Sequence, residues 1–132
     1  MLKKYFKLMA ILVIPSLLFS DAVDNAMNNL ADDYAQCSAY YAVASNGMKN
    51  LKKENEVKRS LKVAEFMYKL SVQISNEETA MARVQLSIKD HYKTMDNHFK
   101  NFSRLILKYG ELCKELHEDP KQRLQYWIKK EE

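Results

Sequence analysis

The chain has 132 residues, with two glycines, two prolines, two cysteines and a formal net charge of +4. That length holds one small domain with a core of its own and no second one. Two glycines exclude the P-loop, the dinucleotide fingerprint and the nucleophile elbow, and 47% apolar with 29% charged residues excludes a disordered chain.

Lys3, Lys4 and Lys7 open the sequence, followed by an apolar run from Leu8 to Phe19 interrupted only by Pro15 and Ser16. The run is shorter than the ~20 residues a membrane span needs. It fits the hydrophobic stretch of a secretory signal peptide, with small residues at Ser20 and Ala22 for cleavage after either. We therefore expect a signal peptide over 1–22 and a single helical domain over 23–132, exported to the periplasm or secreted. An uncleaved membrane anchor is the competing reading. No cysteine lies near the cleavage region, which argues against the bacterial lipoprotein route.

Beyond position 20 there are 18 basic and 17 acidic residues, so the basic balance belongs mainly to the leader and a nucleic-acid partner loses its main support. The remaining charge is uneven. Residues 21–47 carry Asp21, Asp24, Asp32 and Asp33 with no Lys or Arg, while residues 48–132 are net basic.

Val23, Met27, Leu30, Tyr34, Cys37, Tyr41, Ala44 and Met48 alternate in steps of four and three, the period of a helix burying one stripe. Beside the stripe lie Ala31, Ala35, Ala39 and Ala42, small residues that let a neighbouring helix approach closely. Gly47 is placed to end this helix as a left-handed C′ residue, with Met48 folding back on Val43. A second helix is expected from about Asn50 to Ile74. Its apolar residues occupy two sides, Val57, Leu61, Ala64, Tyr68 and Val72 on one, Val63, Phe66, Met67, Leu70 and Ile74 on the other. Such a helix packs against more than one neighbour.

Ser75-Asn-Glu-Glu78 reads as a capping box. It starts the longest pattern in the chain, Ile88, Met95, Phe102, Tyr109 and Leu116 recurring every seven residues, with no breaker except Gly110 between 76 and 118. Asp119-Pro120 then starts a short last helix, Asp as N-cap and Pro at its first position, with Leu124, Trp127 and Ile128 on one face. No strand pattern occurs, and the fold class is all-α.

Two cysteines inside apolar stripes of an exported chain imply a Cys37–Cys113 disulfide, worth about 4 kcal/mol by loop entropy. The bond restricts the topology, because bridged Cα atoms lie within about 7 Å. A straight third helix in an up-down-up arrangement sets the cysteines roughly 33 Å apart in level. Two arrangements satisfy the bond: a small bundle in which the third helix breaks near Asn101 and a fourth descends, or a long disulfide-closed hairpin along an unbroken third helix.

His91, Met95 and His98 share one helical flank and form the one weak metal- or haem-binding candidate. About 10.5 Å of axial separation between the two histidines speaks against one ion. No serine sits in a glycine elbow and the thiols are expected to be paired, so no catalytic residue is assigned and no enzyme is expected. Glu77 and Glu78 suit a helix dipole. Most of the tyrosines, Tyr34, Tyr40, Tyr41, Tyr68, Tyr92 and Tyr109 among them, coincide with stripe positions and read as core.

The sequence thus points to a non-catalytic helical binding module without a cofactor. Its expected partner is another envelope or secreted protein, or a second copy, with no nucleic acid and no membrane contact beyond the leader. Leu124, Trp127 and Ile128 are the expected partner-binding face. The alternative is a metal- or haem-binding helical protein using His91, Met95 and His98.

Overall fold

The computed structural model describes the backbone from Leu2 to Glu132 and the side chains from Asp21 onward, so the side chains of the expected leader, over residues 1–20, fall outside the described residues. Among the described residues there are five helices: α1 (Leu2–Asn50), α2 (Glu54–Ile74), α3 (Glu77–Thr94), α4 (99–118) and α5 (Pro120–Glu131). No strand occurs among the described residues. α4 is composite, a 3₁₀ turn at Phe99–Asn101, an α-turn at Phe102–Leu105, a π-turn at Ile106–Gly110 and a final α segment at Glu111–Glu118.

Side-chain pairings give each helix its direction. Ser71 Oγ donates to the Ala31 carbonyl at 2.8 Å and Ser38 Oγ to the Ala64 carbonyl at 2.7 Å. Both pairs are spaced by seven residues in opposite senses, so α2 runs antiparallel to α1. Arg83 reaches Asn28 and His91 reaches Gln36, which sets α3 parallel to α1. Phe99 lies against Gly47 and Cys113 against Cys37, so α4 descends. Beyond Pro120, α5 continues downward, with Arg123 on Asp33 and Asn25 on Glu131. The result is an up-down-up-down bundle with a fifth helix prolonging the fourth.

The Cys37–Cys113 disulfide is present, with Cα atoms 5.3 Å apart and both residues fully buried. Of the two arrangements the bond allowed, the bundle is the one formed. The break lies earlier than Asn101, at Met95–His98. There Asp96 and Asn97 take left-handed backbone angles (φ 55° and 58°), which short polar side chains tolerate better than other non-glycine residues. Asn101 Nδ2 donates to the Met95 carbonyl at 2.9 Å and closes the corner. The seven-residue repeat runs through this break, with Met95 fully buried at the C-cap of α3.

α1, not the second helix, is the many-sided element. Leu30, Tyr34, Cys37, Tyr40 and Val43 enter the core while Ala31, Ala35, Ala39, Ser38 and Ser45 are also buried. The small side chains let α2 approach closely enough for the two serine–carbonyl bonds. α2 is peripheral by comparison, burying Ala64, Met67 and Ser71 and leaving Leu61 and Phe66 about half exposed.

Two helix-end expectations are corrected. Gly47 does not terminate α1; it remains helical, and the left-handed residue of the turn is Lys52 (φ 58°). Gly47 serves close approach instead, since a Cβ there would lie 2.9 Å from Cδ1 of Phe99. The N-cap of α3 is Asn76, whose side chain accepts from the Thr79 N–H at 2.8 Å, while Ser75 Oγ turns back to the Ser71 carbonyl. Asp119 holds the N-cap position of α5 with Pro120 next, but its carboxylate makes no capping bond.

Candidate functional site

The last helix is held by a buried carboxylate. Asp33, 4% exposed, accepts from Arg123 Nε at 2.7 Å, Arg123 Nη2 at 3.3 Å and Trp127 Nε1 at 2.6 Å. The Arg123 guanidinium also lies over the rings of Tyr126 and Trp127, 4.4 and 4.8 Å from their centroids. Leu124 packs against the core, and Trp127 and Ile128 are half-buried. The three residues expected as a partner face therefore lie together on α5. The indole N–H of that face is engaged within the chain, and Tyr126 is the large aromatic that α5 leaves exposed.

His91, Met95 and His98 are not brought together. His91 is buried, with Nε2 donating to the Gln36 carbonyl at 3.1 Å and its ring 4.5 Å from that of Tyr109. Burial lowers its pKa, opposed by the Gln36 carbonyl and Asp90, with Lys108 adding to the lowering. Nδ1 is buried without a partner. Met95 is in the core, and His98 is exposed on the corner between α3 and α4. Among the described residues no three His, Cys, Asp or Glu side chains converge as a metal site.

The tyrosines read as core behave as such at Tyr34 and Tyr40, and burial raises the pKa of both and of Tyr41. Tyr41, Tyr92 and Tyr109 pack partly buried around them, while the hydroxyl of Tyr68 is buried without a partner.

The candidate for contact with another molecule lies at the end of the bundle where α1 turns into α2 and α3 into α4. A groove of about 330 Å³ is lined there by Ala44, Gly47, Met48, Asn50, Leu51, Phe99, Lys100 and Phe102. Its existence follows from the local structure. Gly47 lets the Phe99 ring settle onto α1, the 3₁₀ turn aims Phe99 and Phe102 toward that helix, and the Lys52 turn leaves Leu51 68% exposed at the rim. On the other side of the same turn a second hollow of about 340 Å³ is lined by Lys49, Lys52, Lys53, Glu54, Val57 and Lys58. The arrangement suits apolar insertion on one side of the turn and an acidic contact on the other. It holds no nucleophile–base pair.

None of the groove residues was assigned a binding role from the sequence. Gly47 carried the one signal that could have found them, and a glycine three residues before a helix end reads as a terminator, not as the floor of a contact.

Comparison with known proteins gives no match to any family, to any curated protein or to any solved structure. The residues themselves carry the functional reading.

Proposed function

We propose that this chain is an exported helical binding module, closed by one disulfide, that works by docking a partner protein and not by turning over a substrate. The observation that carries the reading is the apolar groove at the α1–α2 end, open to solvent and rimmed by Leu51 at 68% exposure. Large apolar side chains gathered around a concavity mark contact sites more often than scattered single ones do. Export is supported by the basic, short apolar leader of the sequence. A disulfide, with no described helix long and apolar enough to cross a membrane, is compatible with an extracytoplasmic setting.

Photo-crosslinking in the producing cells tests the docking reading. A crosslinker at Leu51 is expected to give a discrete adduct with another protein, and one at Leu107, 87% exposed on the outer side of α4, is expected to give none. Absence of adducts at both positions would overturn it.

A further inference from the structure

We propose that the groove at this end of the bundle receives an acidic amphipathic segment of a partner protein, with apolar side chains seated between Met48, Leu51 and Phe99 and carboxylates reaching Lys100 and the lysines across the α1–α2 turn. The inference rests on the docking reading above and adds the chemistry of the partner. Two features of the surface lead to it. The groove is concave and apolar, since Gly47, Ala44 and the two phenylalanines supply its floor and walls while Asn50 and Lys100 are its only polar members. A concavity of this kind takes inserted side chains, as helix-in-groove recognition does with anchors at i, i+3, i+4 and i+7.

The second feature is charge. Lys100 lines the groove, and across the α1–α2 turn Lys49, Lys52, Lys53 and Lys58 line the second hollow against one carboxylate, Glu54. None of these lysines takes part in a salt bridge among the described residues. A basic cluster on the same end of the bundle steers acidic partners and penalises basic ones. It also disfavours a second copy docked end to end, because a two-fold contact sets the same patch against itself and brings lysine to lysine. A flat anionic lipid surface would engage the lysines and Leu51 but leave the concave floor unfilled, so a protein segment suits both features where a membrane suits one.

The test is selection of random peptides, about two to four helical turns long, on the immobilised, oxidised full chain. The expected result is enrichment of sequences that combine aliphatic or aromatic residues at helical spacing with net negative charge. A synthetic copy of the best binder should lose at least about tenfold in affinity against Lys49→Glu/Lys52→Glu/Lys53→Glu, and again against Leu51→Ser. Both variants alter exposed positions and should keep the circular dichroism and melting temperature of the parent. Binding should weaken as salt rises.

Enrichment without acidic bias, binders indifferent to both variants, or no enrichment would overturn the proposal. So would tighter binding to phosphatidylglycerol vesicles than to the peptide, or a dimer in sedimentation that Leu51→Ser abolishes. If the peptides fail while the crosslinker at Leu51 still captures a protein, the acidic-segment assignment falls and the docking reading stands. If neither peptide nor adduct is found, both fall.

Discussion

Asp33→Ala should release the last helix and lower the stability of the whole chain. The carboxylate is 4% exposed and accepts from Arg123 through two nitrogens and from the Trp127 indole. Removing one member of a buried ion pair costs about 3–5 kcal/mol, because the other charge is left without compensation. Here the Arg123 side chain is 22% exposed and can turn to water while keeping its stack on Tyr126. That reduces the expected loss to about 2–3 kcal/mol, a fall of roughly 10 °C for a domain of this size. Asp33→Asn keeps an acceptor and loses the charge, so about half that loss is expected.

Trp127 is the only tryptophan, which makes its fluorescence a local reporter of α5. In Asp33→Ala the emission should shift to the red at temperatures where circular dichroism still shows the bundle folded. Pairing Asp33→Ala with Trp127→Phe in a double-mutant cycle should give a coupling of about 1 kcal/mol. An Asp33→Ala protein that melts with the parent and keeps its emission would refute the reasoning.

Replacing Cys37 or Cys113 by Ala should cost about 2–5 kcal/mol, read as a lowered denaturant midpoint under non-reducing conditions; a variant as stable as the parent would count against the bond as a structural element. His91 should make the fold acid-sensitive. Its folded pKa is lowered by burial, so the unfolded chain binds the extra proton first, and stability is full above about pH 6.5 and lost as pH falls below that value. His91→Gln retains a donor for the Gln36 carbonyl and should flatten the melting-temperature profile between about pH 7 and 5.5, whereas parallel profiles would contradict the assignment. Gly47→Ala gains about 1 kcal/mol of helix propensity but sets a Cβ 2.9 Å from Phe99. A net loss of roughly 1 kcal/mol is expected, recovered when Phe99→Leu is added; a stabilised single variant would mean that the ring moves aside at no cost.

The helical class, the cysteine pairing and the Pro120 start of the last helix were legible because each rests on a local rule: apolar period, export with even cysteine count, and proline at the first helical turn. The corner at Asp96 and Asn97 was not, because it uses two non-glycine residues in left-handed geometry and is spanned by an uninterrupted seven-residue repeat. Asn76 displaced Ser75 as N-cap by one position, and both residue types cap well, so the sequence could not choose between them. The alanines beside the α1 stripe were legible as positions of close approach, and Ala31, Ala35 and Ala39 are fully buried, but small residues add little to an apolar pattern and α2 showed the larger apolar surface. In the bundle those same small residues allow close backbone approach, and it is their burial that makes α1 central. The groove was hidden for a related reason. Its floor is a glycine without a side chain, and Leu51 and Phe99 meet only because the α3–α4 corner forms.

The central claim, an exported chain closed into its bundle by one disulfide, is tested most directly by intact mass and non-reducing peptide mapping of the protein recovered from the exported fraction of its own cells. The account predicts a chain that begins at Asp21 or Val23, with the Cys37 and Cys113 peptides linked within a monomer. Full-length protein in the membrane fraction, with both thiols open to alkylation, would contradict it.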